Sequence, residues 1–239
     1  MHYYNEVEPI LCSWLENLIA ASLLPNGVVD CRSISEVTVK DLEGFTQCHF
    51  FAGIGGWPLA LKWAGRENTE NLWTGSCPCQ PFSTAGKGLG FEDDRHLWPH
   101  FYRLTRECKP SVLFGEQVAQ KGGYTWFDKV ATDLESSDYA VASATLCAAG
   151  EGAPHVRQRL FWVAHANWDI KPWQKPCRGE TGRMGRKQQP FPWDTPWEVA
   201  LSKFRDVDDG FPRRVAATDA ARNALVPQVA QTFIEAFFG

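Results

Sequence analysis

The stretch Gly75-Ser76-Cys77-Pro78-Cys79-Gln80-Pro81-Phe82-Ser83 decides how the rest of the chain is read. It follows a short apolar run, Asn71-Leu72-Trp73-Thr74, and it ends in small and turn-forming residues. Pro78 and Pro81 fix the backbone on either side of Cys79, and each pushes the residue before it out of the helical region. Free cysteine is among the most buried residue types. A thiol held in a stiff loop just after a strand is instead placed for reaction.

Three other stretches sit at suggestive distances from this loop. Phe51-Ala52-Gly53-Ile54-Gly55-Gly56 lies upstream; Phe114-Gly115-Glu116-Gln117-Val118 and Arg157-Gln158-Arg159-Leu160-Phe161-Trp162-Val163-Ala164 lie downstream. Together with Pro78-Cys79-Gln80, the four resemble the glycine-rich cofactor loop, the nucleophile loop, the Glu-Asn-Val motif and the Arg-x-Arg motif of the DNA cytosine-5 methyltransferases. Each is weak alone; the set, with family-like spacing from Cys79 onward, is specific. The resemblance covers most of the chain, and its style is similar to that of phage-encoded members.

The chain's 239 residues suit one domain with a small appendage. Hydrophobic residues make up 44 % and charged residues 22 %, the balance of a soluble globular protein. No apolar run approaches the roughly 20 residues that span a bilayer, and Met1-His2-Tyr3-Tyr4-Asn5-Glu6 has no secretory pattern. Eight irregularly spaced cysteines point to reduced thiols, and Cys77 with Cys79 is too small a set for zinc. No metal is expected. The net charge of −4 argues against bulk attraction to nucleic acid but not against a local basic face. Lys171, Lys175, Arg178, Arg183, Arg186 and Lys187 form such a run, which composition alone reads equally well as a solvated loop.

Taken in order, residues 3–34 read as strand, helix, strand. Pro9 opens the helix, and Ile10, Leu11, Trp14, Leu15, Leu18 and Ile19 recur at helical spacing. A strand at 47–52 leads into the glycine loop, followed by a helix at 57–64. Beyond Cys79, helices are expected at 101–108, 126–136 and 219–238, and strands at 111–114, 139–147 and 160–164. Residues 167–205 carry Pro, Trp, Arg, Lys and Gln without a visible period.

The resemblance implies an α/β fold, a Rossmann-like S-adenosylmethionine-dependent methyltransferase sheet. The order of segments departs from the family. Two strand–helix units expected between the glycine loop and Cys79 are missing there. Asn5-Glu6-Val7-Glu8-Pro9 resembles the segment that should follow the glycine loop, and Ser33-Ile34 stands at the next motif's Asp-Ile. The expectation is a shuffled strand order: the second and third strands come first, then the first, then the fourth, with spatial order 3-2-1-4 retained. Parallel crossovers are right-handed in about 98 % of cases. The helix at 57–64 is therefore expected on the opposite face of the sheet from the helix at 9–22. The domain expectation is a catalytic part over 1–166, with strand motifs at 3–34, the cofactor loop at 50–56 and the nucleophile loop at 75–83. A short, irregular target-recognition insert follows over 167–210, and a returning C-terminal helix over 211–239.

The resemblance also implies roles. Cys79 adds to cytosine C6, which makes C5 nucleophilic. Glu116 supplies a proton or hydrogen bond to N3, which needs a raised pKa. Arg159 holds O2, and Arg157 pairs with phosphate or shapes the loop. Gln117 replaces the family's Asn. S-adenosyl-L-methionine is the implied donor. Phe51, Gly53 and Gly55 approach its methionine portion, Glu6 accepts its ribose hydroxyls, Val7 packs on its adenine, and Ile34 belongs to the cofactor site. Ser33 replaces an Asp, and Pro78 and Asn223 complete the site, with Arg222 where that last motif usually has glycine. The partner is double-stranded DNA with the target base flipped out. Gln80, Ser83 and Arg95 meet it near the nucleophile, and the basic run from Lys171 to Lys187 meets its phosphates. Trp168, Trp173, Trp193 and Trp197 either fill the vacated gap or build a small core. A monomer in the cytoplasm, the host's if phage-encoded, completes the reading. Three alternatives stay open: a DNA-binding pseudoenzyme without useful donor affinity, a pyrimidine C5 one-carbon transferase acting on free nucleotides, and a redox protein using Cys77 and Cys79.

Overall fold

In the computed structural model, which describes residues 1–78, 97–153, 155–166 and 224–239, the chain opens with β1 (His2–Asn5), α1 (Pro9–Ala20) and β2 (Gly27–Asp30). A 3₁₀ turn, Val39–Leu42, precedes β3 (Gln47–Phe50), α2 (Gly56–Trp63) and β4 (Leu72–Gly75). Then come α3 (Trp98–Cys108), β5 (Val112–Val118), α4 (Lys121–Glu135), β6 (Ala140–Cys147), β7 (Gln158–His165) and a C-terminal helix, α5 (Pro227–Phe238). Proline stands in the first turn of α1, α3 and α5, where its missing N–H costs nothing. Lys109, in the left-handed conformation, ends α3. The C-terminal helix starts at Pro227; the expected stretch 219–223 lies outside the described residues.

The strands form one sheet in the order β2-β1-β3-β4-β5-β7-β6. The first five are parallel, and β7 runs antiparallel to both β5 and β6. Mapped onto the resemblance, β2-β1-β3-β4 is 3-2-1-4, so the shuffled order is found with its spatial arrangement intact. Residues 47 apart in the chain become neighbours this way: the amide of Ala52, just past β3, donates to the carbonyl of Asn5 at 3.0 Å.

Alternation along the strands defines two faces. One carries Tyr3, Cys48, Phe50, Trp73 and Leu113 beneath α3 and α4, whose Trp98, Phe101 and Trp126 fill the same core. Ile34, Val37 and Leu42, between β2 and β3, cover this face too. The other face carries Tyr4, which packs on Leu15 of α1. It also carries Leu72, Val112 and Phe114, which pack on Trp57, Ala60 and Leu61 of α2 and on α5.

The helix at 56–63 thus shares a face with the helix at 9–20, contrary to the expectation. Lys62 even reaches back to the Ser22 and Leu23 carbonyls that follow α1, at 2.9 and 3.1 Å. Since β1–α1–β2 and β3–α2–β4 step in opposite directions across the sheet but use one face, they have opposite hands. The strand order stands and the handedness assumption falls: one of these two crossovers departs from the usual hand. Two physical reasons are visible. Above β3 and β4 the first face is already filled by Phe101 and by the 34–42 segment. The turn after β3 also passes through left-handed conformations at Phe51, Gly53 and Gly55 (φ 53°, 54° and 87°), which direct the chain to the second face.

A buried polar chain crosses that second face. The His2 ring joins the Glu67 carbonyl (2.9 Å) to the His49 ring (3.2 Å), and His49 meets the Thr74 hydroxyl at 2.9 Å. Burial lowers the pKa of both imidazoles, so they are held neutral.

Candidate active site

The carboxyl ends of the five parallel strands lie along one edge of the sheet, where ligands of open α/β sheets bind. Glu6 follows β1, Ser33 follows β2, the glycine loop follows β3, and Ser76-Cys77-Pro78 follows β4. Glu116 and Gln117 close β5, and antiparallel β7 enters from the same edge, bringing Arg157 and Arg159.

Glu6 and the glycine loop are joined directly. The Gly53 amide donates to Glu6 Oε2 at 2.8 Å, and the Glu8 amide to Oε1 at 3.0 Å. Trp14 of α1 holds the loop from the other side, its indole donating to the Ile54 carbonyl at 3.3 Å. Space for a Cβ is open at Gly53, whereas one at Gly55 would meet Leu24 Cδ1 at 2.7 Å. Val7, 61 % exposed, flanks Glu6. Ser33 pairs its hydroxyl with Ser35 at 2.8 Å. Ile34 is buried in the core below the edge, so it presents little surface to a ligand. The loop carrying Ser33 is fixed by Asp30, which accepts from Tyr3 (2.7 Å) and Arg32 (2.6 Å), and by Asn5, which donates to the Asp30 and Arg32 carbonyls.

At the other half of the edge, Glu116 Oε1 meets Arg159 Nε at 2.8 Å. Both side chains are mostly sheltered, with 13 % and 24 % exposed. Burial raises the Glu116 pKa, against the opposing pull of Arg159 and Arg157. Burial, with Arg159 beside it, lowers that of Arg157, whose Nη2 donates to the Ala224 carbonyl at 2.9 Å. That bond ties β7 to the segment leading into α5. An open cavity of about 500 Å³ lies beside this group, lined by Gln120, His155, Arg157 and Arg159 among others. Gln117, on the opposite side of β5, is buried and donates to the Cys77 carbonyl at 3.2 Å. Gln117 therefore anchors the segment that follows β4. Cys77 is buried and Pro78 exposed.

The structure thus gathers Glu6, Val7, Ser33, Phe51, Gly53, Gly55, Pro78, Glu116, Arg157 and Arg159 along one edge. Cys79, Gln80, Ser83, Arg95, Lys171, Lys175, Arg178, Arg183, Arg186, Lys187, Arg222 and Asn223 lie outside the described residues. Two supports of the site escaped the sequence reading. Trp14 was read only as part of an apolar stripe, and Arg32 was passed over although Asp30-Cys31-Arg32 sets two opposite charges at a strand end.

The chain is similar in sequence to known proteins. Residues 66–190 match the C-5 cytosine-specific DNA methylase family. The type II methyltransferase M.HhaI of Haemophilus parahaemolyticus is 29 % identical over 171 residues, covering 55 % of this chain and 52 % of its own. M1.ScrFI of Lactococcus lactis subsp. cremoris is 36 % identical over 99 residues, covering 39 % and 25 %. The crystal structure of S. pombe Dnmt2 methyltransferase aligns over 72 % of this chain and 52 % of its own, at 14 % identity and a TM-score of 0.45. The chain spans at most about half the length of the curated relatives named here.

Proposed function

Because the chain belongs to the C-5 cytosine-specific DNA methylase family, we propose that it methylates C5 of a flipped-out cytosine in double-stranded DNA through a covalent Cys79 adduct. The observation that carries this reading is the sheltered Glu116–Arg159 pair beside a nucleophile loop held by Gln117. Cys79, as thiolate, adds to C6. The carboxyl of Glu116 gives its proton to N3 as that bond forms, so C5 gains electron density instead of a full negative charge building on the ring. Burial favours the protonated carboxyl this step needs. Arg159 offers its guanidinium to O2, and Arg157 keeps β7 and the C-terminal segment in register. After transfer, loss of the C5 proton and departure of the thiolate restore the aromatic ring, and the N3 proton returns to the Glu116 carboxylate.

S-adenosyl-L-methionine supplies an electrophilic methyl group. The residues present fit it: Glu6 offers two acceptor oxygens suited to a vicinal diol, and the backbone at Gly53 is open to close approach. Glu6, Phe51, Gly53 and Gly55 would hold it, with Val7, Ser33, Pro78 and Asn223 beside them. The recognition insert at 167–210, with its basic run, would contact DNA phosphates. The same reading makes the protein a cytoplasmic monomer, within the host if phage-encoded, that marks DNA against restriction. Among the described residues no helix is long and apolar enough to cross a membrane.

A second reading, DNA binding without useful donor binding, draws on the exposed Val7 and the Ser33 hydroxyl turned onto Ser35. One experiment separates them. Duplex DNA carrying 5-fluorocytosine cannot lose its C5 substituent as a proton, so the adduct of a completed transfer persists. With donor present, a denaturation-stable protein–DNA species mapping to Cys79 is expected. Absence of that species, together with no donor binding by calorimetry, would favour the second reading.

A further inference from the structure

Trp57 is the second residue of α2, directly after the glycine loop. Its indole N–H donates to the Ser76 hydroxyl at 2.9 Å, three residues before Cys79. Its ring stacks on Phe114 (centroids 5.8 Å apart, planes 27° apart) and meets Phe161 edge-on at 6.0 Å. Phe114 lies two residues before Glu116 on β5, and Phe161 lies two residues after Arg159 on β7, opposite Glu116 in the register. One buried side chain of the glycine-loop helix therefore touches the three other elements of the site: the strand carrying the acid, the strand carrying the arginine, and the nucleophile loop. The packing of α2 on this face of the sheet makes this possible. Placed on the other face, α2 would carry Trp57 away from both Phe114 and Ser76, since Leu72 and Phe114, which pack on α2, face the second side.

We propose that Trp57 is a positioning residue: its indole N–H fixes the start of the nucleophile loop relative to the glycine loop, so that the thiol and the donor's methyl group are held in mutual register. This rests on the methyl-transfer reading for its consequence, but not for its physical content. A packing role would depend on the ring; a positioning role depends on the N–H. Trp57→Phe retains an aromatic ring between Phe114 and Phe161 and deletes the donor, and Ser76→Ala deletes the acceptor alone.

Two readouts apply to the purified full chain. The first is backbone amide hydrogen exchange at Gly75, Ser76 and Cys77, which needs no activity. Each single variant is expected to speed exchange there about fivefold or more, and the double variant no further, because both remove one bond. The second is single-turnover methyl transfer at saturating donor and DNA. It is expected to fall about tenfold in each single variant with donor affinity within twofold, since small misplacement of reacting groups is costly. Unchanged exchange at 75–77 in both single variants, or effects that multiply in the double variant, would overturn the proposal. If Trp57→Phe does not fold, Ser76→Ala alone decides on the same exchange criterion. Altered exchange with no methyl transfer in the parent protein would uphold the coupling and refute the activity, so the two failures are distinguishable.

Discussion

Arg159→Ala should destabilise the protein in a way that depends on pH. In the native state its Nε lies 2.8 Å from Glu116 Oε1, with only 24 % and 13 % of the two side chains exposed. Two unit charges about 4 Å apart attract by about 4 kcal/mol at the effective dielectric of about 20 that suits such sites. Removing one partner of a buried pair typically costs about 3–5 kcal/mol, because the other charge stays behind. With partial exposure at both ends, a loss of about 3 kcal/mol is expected where Glu116 is ionised. The sign of the pH effect follows from burial. Glu116 already has a raised pKa, held down by Arg159 and Arg157, and losing Arg159 raises it further. Below the parent's folded pKa the carboxyl is protonated in both folded proteins, so the loss is small. As pH rises from there toward the variant's higher folded pKa, the variant must keep the carboxyl neutral against the pH, and the loss grows until the charge is carried poorly paired. Urea unfolding at pH 5 and pH 8 measures this directly. Arg159→Ala should be much nearer to the parent at pH 5, and Arg159→Ala with Glu116→Gln should recover most of the loss at pH 8. An equal loss at both pH values, with no recovery by the second change, would refute the reasoning.

Other outcomes follow from the same geometry. Cys79→Ser should abolish methyl transfer to DNA in a labelled-donor assay, while Cys77→Ser, which keeps the backbone carbonyl that Gln117 meets, should retain much of it; equal loss in both would undermine the choice of nucleophile. Glu6→Gln should weaken donor binding about tenfold by calorimetry, because hydrogen bonds to a charged acceptor are worth about 1.5–3 kcal/mol and the neutral amide forfeits part of that. Gly55→Ala should lose about 2 kcal/mol in urea unfolding, since φ is 87° and a Cβ would press on Leu24 at 2.7 Å; an unchanged midpoint would contradict the assigned turn.

The strand order was legible because motif residues mark strand ends independently of connection: Glu6 and Ser33-Ile34 identify their strands wherever they fall in the chain. The helix faces were not legible. The handedness rule concerns backbone twist and connection, whereas the face taken by α2 depends on which face already has a cover, here Phe101 and the 34–42 segment. The roles expected of Glu116 and Arg159 rested on resemblance, and sequence held no information that they would pair. Gln117 carried a readable departure, but its reach to the Cys77 carbonyl depends on how β4 and β5 align. The 3₁₀ turn at 39–42 did have a signal, since Thr38 and Asp41 form a reciprocal cap. The His2–His49–Thr74 chain had none: its three members come from three strands and meet only once β1, β3 and β4 are adjacent.

The most direct test incubates the protein with double-stranded DNA of varied sequence and S-adenosyl-L-methionine labelled on its methyl group, then digests the DNA to nucleosides. Label should appear in 5-methyldeoxycytidine, at positions sharing one short sequence, and should vanish with Cys79→Ser. Label absent from DNA, or carried on a base other than cytosine, would contradict the account.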